Sequence, residues 1–107
     1  MDSLTSILGA ISHPSRRAIL DRLARGPARV TEIAEPFDMS LNAVSKHLKV
    51  LEEAGLVRRE VQGRDHYIEL RGEPLRAVSA WVHGFERFWT RHLDRFEAHF
   101  KEKRKKT

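Results

Sequence analysis

The 107-residue sequence contains no cysteine, which excludes a disulfide framework, a cysteine-ligated zinc site and a thiol nucleophile. No uninterrupted apolar run approaches the ~20 residues that a membrane-spanning helix needs, so we expect no membrane partner. The N-terminal segment MDSLTSILGAIS has neither a basic leader nor a cleavage-like site, which argues against a secretory signal peptide. We therefore predict a cytoplasmic protein.

Motifs typical of enzymes are also missing. The sequence has no Gly-rich phosphate loop, no nucleophile elbow and no H-E-x-x-H pair. Ser45 and His47 are two residues apart on a predicted helix, where their side chains point in different directions. We predict that the protein is not an enzyme, and we expect no catalytic residue and no cofactor.

Basic residues outnumber acidic ones by 20 to 15, for a formal net charge of +5. Such a balance favours an anionic partner, with nucleic acid first and a membrane surface second. Residues 101–106 alone hold five of the basic groups and one of the acidic ones, however, so the rest of the chain is nearly balanced. We predict one domain over residues 1–100 and a disordered basic tail over 101–107.

Hydrophobic spacing predicts two helices near the N-terminus. The first carries apolar residues at i, i+3, i+4 and i+7, namely Leu4, Ile7, Leu8 and Ile11. The second begins at Pro14, because the missing N–H of proline costs nothing in a first turn, and either Ser12 or His13 caps it. Gly26 and Pro27 end it.

Residues 31–54 are typical of a helix-turn-helix. A short helix begins at Thr31, its predicted N-cap, and stops before Pro36. A tight turn follows, and Ser40 caps a longer helix that Gly55 ends. That longer helix carries an inward stripe at helical spacing, formed by Leu41, Val44, Leu48 and Leu51.

After Gly55 the period changes from that of a helix towards that of a strand. Two β-rich runs, 56–61 and 66–70, flank a short loop that contains Gly63, which predicts a hairpin wing over residues 56–71. From Pro74 the helical pattern resumes and predicts one helix over 74–103. The expected fold class is mainly α with a small β-hairpin, a winged helix-turn-helix that dimerises through its terminal helices.

A helix-turn-helix places the N-terminal part of its second helix against base edges in the major groove. With the apolar stripe inward, five side chains of suitable chemistry face outward: Asn42, Ala43, Ser45, Lys46 and Lys49. No acidic residue occurs between Asp38 and Glu52. On the hairpin, Arg58 and Arg59 lie on the first strand, and Arg64 lies at the tip, where it can enter a minor groove or hold a phosphate.

The stretches HPSRRAIL, TEIAEPFDMSLNAVSKHLKVLEEAGLVRRE and GRDHYIEL resemble the ArsR/SmtB family of winged helix-turn-helix repressors. The resemblance covers residues 4–71 closely, and the long final helix fits the family's C-terminal dimerisation helix. It implies a homodimeric transcriptional repressor that binds double-stranded DNA at an inverted-repeat operator. It also gives His47 a packing or phosphate-contact role. The predicted DNA-binding set is Thr31, Ser40, Asn42, Ala43, Ser45, Lys46, His47, Lys49, Arg58 and Arg64.

Many members of this family sense metals, and this chain departs from their patterns. The segment that holds cysteines in one family site is VTEIAE here. The other pattern, Asp-x-His with a later His-x-x-Glu/His, is not met at His83 or His92. These two histidines lie about 180° apart around a helix, and His92 and His99 lie about 10 Å apart along it. We predict no metal site, and a histidine site shared across a dimer is left as an alternative.

Six of the eight aromatic residues fall within residues 81–100. A small domain cannot easily cover so broad an apolar face on one long helix, so we expect burial against a second copy of the chain. An ordinary core helix and an aromatic ligand pocket are the alternatives. The predicted dimer interface combines both terminal helices: Leu4, Ile7, Leu8, Val78, Trp81, Val82, Phe85, Trp89 and Phe96.

Two classes of function remain. The favoured one is a DNA-binding repressor whose effector the sequence does not specify. The other is a module of the same fold that binds another protein and never contacts DNA. Lys46, Lys49 and Arg64 favour the first class, because a protein-binding surface does not need basic residues at those positions.

Overall fold

The computed structural model describes residues 2–92 of the chain. Helices and a small antiparallel sheet alternate in the order α1 Ser3–Ala10, α2 Pro14–Leu23, β1 Ala28–Arg29, α3 Val30–Ala34, α4 Leu41–Glu53, β2 Val57–Gln62, β3 Asp65–Leu70 and α5 Leu75–His83. The strands lie side by side in the order β1-β3-β2. The predicted class, mainly α with a β-hairpin, is confirmed.

Polar side chains cap the N-termini of the first two helices. The Asp2 carboxylate accepts a hydrogen bond from the backbone N–H of Thr5 at 2.7 Å, and this bond lowers the pKa of Asp2. At the second helix His13 is the N-cap, and its Nδ1 accepts from the N–H of Ser15 at 3.1 Å. Of the two predicted caps for α2, the structure therefore uses the histidine.

The strand β1 is an element that the sequence pattern did not predict. Its residues pair with the second hairpin strand in the register Ala28↔Ile68 and Arg29↔Tyr67. It leads directly into α3, so the start of the helix-turn-helix is hydrogen-bonded to the wing.

Thr31 is not the N-cap of α3, which is a correction to the predicted helix start. The helix begins at Val30, and Arg29 is the N-cap. The backbone N–H of Arg29 donates to Glu32 Oε1 at 3.2 Å, the bond by which the third residue of a helix satisfies the N–H of its N-cap in a capping box.

Two glycines with positive φ set the end of α4 and the turn of the hairpin. Gly55 has a φ of 76°, and the N–H of Leu56 after it donates to the carbonyl of Leu51 at 2.9 Å, which closes the helix end. Gly63 has a φ of 63° and is the first of the two residues that join β2 to β3, the position where a tight hairpin turn favours glycine.

The core lies between α1, α2, α3, α4 and the sheet. Its completely buried side chains, at 0% exposure, are Ile19, Ile33, Val44, Leu48, Leu51, Leu56 and Ile68. Leu41 does not belong to this stripe, contrary to the sequence prediction, because its side chain is 50% exposed. The first position of α4 therefore faces outward.

The single helix predicted over residues 74–103 is interrupted. Helix α5 ends at His83, residues 84 and 85 form a turn, and residues 86–92 are helical again. The turn begins at Gly84, where an added Cβ would lie 3.2 Å from the carbonyl oxygen of Trp81. Phe96, His99 and the predicted tail over 101–107 lie outside the described residues.

Helix α5 packs against α1 in the same chain. No residue of α5 is fully buried, so this packing covers only part of its apolar face. Within residues 2–92 no helix combines the length and the apolar character needed to cross a membrane.

Candidate nucleic-acid interface

Helix α4 presents an exposed polar stripe on the side opposite its buried one. Asn42, Lys46 and Lys49 are all exposed, and their spacing of four and three residues places them on one face of the helix. This arrangement puts two cations and an amide, which can contact bases or phosphates, on a single surface.

The beginning of α4 is fixed by its cap. Ser40 Oγ accepts a hydrogen bond from the backbone N–H of Ala43 at 3.1 Å, as predicted from the sequence. The hydroxyl proton of Ser40 remains a potential donor, since a hydroxyl both accepts and donates. The same end of the helix carries the positive pole of the helix dipole, which attracts phosphate.

His47 faces α2 rather than the exposed stripe. Its ring lies 4.6 Å from the ring of His13, measured between centroids, and its Nδ1 lies 3.4 Å from Arg16 Nη1. Because a guanidinium only donates, Nδ1 is the acceptor and His47 is neutral in this contact. Burial, followed by the nearby His13 and Arg16, lowers the pKa of His47. The packing role weighed for this residue fits that environment.

A cleft of about 300 Å³ separates the start of α4 from the hairpin. It brings together three residues of the predicted DNA-binding set that are far apart in sequence: Thr31 from α3, Ser45 from α4 and Arg64 from the hairpin tip. The other lining residues are Arg29, Val30, Leu41, Arg59, Asp65 and His66. The helix-turn-helix and the wing thus form one continuous surface at this edge.

Arg58 does not join that cleft, but its neighbour Arg59 does. Side chains alternate across a strand, so Arg59 shares the inner face with the buried Val57, while Arg58 is exposed opposite Glu69. This alternation was the sequence signal that distinguished the two arginines. Arg29 and His66 also line the cleft and were absent from the predicted set.

Acidic partners hold two of the cleft arginines. Arg29 Nε lies 2.8 Å from Glu32 Oε1, and its hydrogen bonds lower the pKa of the Glu32 carboxyl. Arg59 Nε lies 3.3 Å from Glu52 Oε2. The cations of the predicted DNA-binding set are Lys46, Lys49, Arg58 and Arg64. Among residues 2–92 none of these four forms an ion pair with an acidic side chain.

The chain is similar to known helix-turn-helix transcriptional regulators. A family model described as a helix-turn-helix domain matches residues 11–60. The HTH-type transcriptional regulator Rv2034 of Mycobacterium tuberculosis is 42% identical over 84 residues, which cover 78% of this chain and 76% of that protein. The transcriptional repressor SdpR of Bacillus subtilis is 33% identical over 82 residues, covering 77% and 91% of the two chains.

Solved structures with a similar fold include a transcriptional regulator and a DNA-binding domain. The crystal structure of an ArsR family transcriptional regulator superposes with a TM-score of 0.77 at 43% identity, covering 83% of this chain and 98% of that one. The chain belongs to the ArsR family. A winged helix-turn-helix DNA-binding domain from Mycobacterium bovis, described as homodimeric, superposes with a TM-score of 0.65 at 30% identity, covering 85% and 86% of the chains.

As an ArsR-family member the chain is a DNA-binding transcriptional regulator and not an enzyme, as predicted. The winged helix-turn-helix architecture expected from the sequence is likewise confirmed by these structures.

His83 and His92, on the C-terminal side of this ArsR-family chain, contact residues three or four positions away in the sequence. His83 Nε2 lies 2.9 Å from Glu86 Oε2, and His92 Nδ1 donates to the carbonyl of Phe88 at 2.9 Å. Within residues 2–92 no three His, Asp or Glu side chains are grouped closely enough to hold a metal ion. A site that includes His99 lies outside the described residues.

The aromatic members of the predicted dimer surface of this ArsR-family chain are exposed. Trp81, Phe85 and Trp89 are between 42% and 50% exposed, and the neighbouring Phe88, outside the predicted set, is 55% exposed. The rings of Trp81 and Phe85 meet edge to face at 5.4 Å. Val78, Val82, Leu4 and Leu8 are half-buried. Ile7 has to be removed from the predicted interface, because only 2% of it is exposed and it packs in the core of its own chain.

Proposed function

We propose that this ArsR-family chain is a homodimeric repressor whose two helix-turn-helix units contact the two halves of an inverted-repeat operator. The observation that carries the proposal is the exposed stripe of α4, formed by Asn42, Lys46 and Lys49, beside a cleft that ends at Arg64. A two-fold symmetric dimer places its half-sites about one helical turn of DNA apart, roughly 10 bp.

Each residue of the predicted set receives a role from its position. Asn42 and Ser45, near the start of α4, contact base edges in the major groove, with Ala43 beside them. Lys46 and Lys49 contact guanine or phosphate further along the groove. The Ser40 hydroxyl donates to a phosphate at the helix end.

Three of the remaining members, Arg64, Thr31 and Arg58, lie around the cleft and on the wing. Arg64 contacts the DNA flank from the hairpin tip, where an arginine can enter a narrow minor groove. Thr31 lies at the edge of the same cleft. Arg58 contacts phosphate from the outer face of the hairpin. His47 packs α4, the proposed recognition helix, against α2.

Dimerisation in this proposal uses the aromatic surface of residues 81–89 together with α1. Large aromatic side chains dominate the energy of protein interfaces. Here Trp81 lies on α5, the helix that α1 contacts, and Phe85, Phe88 and Trp89 follow α5 along the chain. Apolar side chains from both ends of the chain thus form one surface that a second copy covers.

The decisive variant is Ser45→Glu. It places a negative charge on the proposed base-contacting face, so we expect loss of operator binding while the dimer and the fold survive. Ser6→Glu on α1 introduces the same charge away from the recognition helix and should bind normally. Fluorescence polarisation with a duplex selected from a randomised library measures the affinities, and unchanged binding by Ser45→Glu would contradict the assignment.

Salt dependence separates specific from non-specific binding. Phosphate contacts make affinity fall steeply with salt for any DNA sequence. A repressor retains a large preference for its operator at each salt concentration, whereas a merely cationic surface does not. If the randomised library yields no enriched sequence, the operator proposal fails.

The cytoplasmic location predicted from the sequence belongs to this proposal. The relatives named above are bacterial proteins, and a regulator that binds bacterial DNA acts in the cytoplasm. Pull-down of a stoichiometric protein partner, combined with no affinity for DNA, would instead support the protein-interaction alternative.

A further inference from the structure

Arg59 connects the recognition helix to the wing through a single guanidinium. Its Nε donates to Glu52 Oε2 at 3.3 Å, in the last turn of α4. Its Nη1 lies 3.1 Å from Nδ1 of His66 on β3. Since arginine has no acceptor, His66 Nδ1 accepts this bond, which requires the neutral ring with its proton on Nε2.

The outer half of the hairpin has few other supports. The strand β1 pairs only with Tyr67 and Ile68 on β3, so it holds the base of the hairpin. Beyond that point the turn at residues 63 and 64 depends on the pairing of β2 with β3, the last pairs being Val61↔His66 and Gln62↔Asp65. A two-stranded ribbon by itself is marginally stable in water.

The side chain of Arg59 is placed to provide the missing support. It is only 27% exposed, compared with 43% for Glu52, so it is partly shielded from water, which strengthens its contacts. It lines the cleft together with Arg64 and Ser45, between the helix and the wing tip that the proposed function places on DNA.

We propose that Arg59 is a positioning residue that holds the wing at a fixed distance from the recognition helix, so that Arg64 and α4 engage the same DNA site together. This inference rests on the proposed DNA-binding function. Arg59 itself need not contact DNA. The geometry of the planar guanidinium is essential, because it donates in two directions at once, and a lysine ammonium does not reproduce that fork.

The ion pair between Arg59 and Glu52 reverses the effect that one substitution is expected to have on DNA affinity. Removing an acidic residue from a DNA-binding protein ordinarily strengthens its attraction to phosphate. Glu52→Ala should nevertheless weaken operator binding, by about two- to fivefold, the range expected for a partly exposed ion pair. Glu53→Ala removes the same charge from the next residue, which makes no ion pair among residues 2–92, and should leave affinity unchanged or tighter. Arg59→Lys keeps its charge and should also weaken binding.

A double-mutant cycle shows whether the effect passes through the wing. In a background that carries both Arg58→Ala and Arg64→Ala the proposed wing contacts are already lost, so Glu52→Ala and Glu53→Ala should then bind the selected duplex equally well. A loss that persists undiminished in that background would overturn the proposal, because Glu52 would then act through α4 alone. Equal affinities of Glu52→Ala and Glu53→Ala in the otherwise wild-type chain would overturn it as well.

A measurement without DNA separates this proposal from the repressor proposal. In the free protein, backbone NMR order parameters at Gly63 and Arg64 should fall in Glu52→Ala and Arg59→Lys but not in Glu53→Ala. Unchanged order parameters in all three variants would overturn the positioning role even if the protein binds its operator. Conversely, failure to select any operator contradicts the repressor proposal and leaves this measurement interpretable.

Discussion

The helix-turn-helix with its wing and the C-terminal segment use similar amphipathic patterns with different results. In α4 the apolar stripe of Val44, Leu48 and Leu51 is completely buried. In α5 no residue is fully buried, and Trp81 is half exposed. The first pattern is satisfied by the rest of the same chain, whereas the second exceeds what α1 covers. An amphipathic helix therefore indicates that a face will be buried, but not which molecule buries it.

The comparison predicts that core substitutions in the first region unfold the chain. Leu48→Ala should lower the free energy of unfolding by about 2–5 kcal/mol, since it removes a fully buried side chain and leaves a cavity. Leu41→Ala, on the same helix but at a half-exposed position, should change it by no more than about 0.5 kcal/mol. Urea denaturation at one fixed protein concentration measures both, and similar losses would show that α4 does not separate these faces.

Substitutions in the C-terminal segment should weaken dimerisation rather than folding. Trp81→Glu places a charge on the exposed aromatic surface, so we expect the dimer dissociation constant to rise at least about tenfold, as for an interface hot spot. The far-UV circular dichroism of the monomer should stay native. Val61→Glu, on an exposed apolar side chain of the hairpin, is the control, and equal sedimentation behaviour of the two variants would place the interface elsewhere.

A smaller effect is expected on the polar side of α4. Lys46→Ala should reduce the slope of log affinity against log salt by about one, because one phosphate contact is lost. The fold should be unaffected, since Lys46 is exposed. Arg25→Ala, an exposed charge after α2, should leave the slope unchanged. The titration therefore shows whether the cations of α4 differ from other surface cations.

The smallest effect concerns His47, at the contact between α2 and α4. Burial, followed by His13 and Arg16, lowers its pKa in the folded chain. Between that lowered pKa and the ordinary histidine value of about 6.5, the unfolded chain binds the proton more readily. The stability contributed by neutral His47 is thus fully present above about pH 6.5 and is lost as the pH falls through the folded-state pKa.

Urea denaturation of His47→Gln and wild type at about pH 8 and pH 5 measures this contribution. The stability lost by wild type between the two pH values should be larger than the loss in the variant. Lys49→Gln, at an exposed position of the same helix, should lose as much stability between the two pH values as wild type does. If His47→Gln loses as much stability as wild type, the contact with α2 does not depend on protonation.

Elements with local signals were predictable from the sequence. Ser40 and Gly55 bound α4 because a cap and a positive φ act within a few residues of the helix end. Gly63 likewise identified the hairpin turn. Five exposed or half-buried positions of α4 were assigned to its outer side from the 3.6-residue period alone: Asn42, Ala43, Ser45, Lys46 and Lys49. Local chemistry and periodicity were sufficient for these features.

Features that depend on distant partners were not predictable in this way. The two residues of β1 form a strand only because β3 offers edge hydrogen bonds. Leu41 fits the apolar spacing of α4 but lies at the edge of the buried stripe. The spacing of apolar residues predicts which way a side chain points, but not how deeply it is buried. Gly84 interrupts the C-terminal helix although the apolar pattern continues through it, since glycine inside a helical pattern is tolerated. The role of Arg59 required three elements to be seen together.

The separation of faces on α4 has a consequence for how such regulators diverge. The buried stripe holds the domain together, while Asn42, Lys46 and Lys49 on the opposite side are exposed. Exposed positions tolerate substitution with little change in stability. With the DNA-contacting role proposed for these positions, operator preference can change by single substitutions without a compensating change in the core, which makes α4 a suitable place to engineer regulators that do not bind one another's operators.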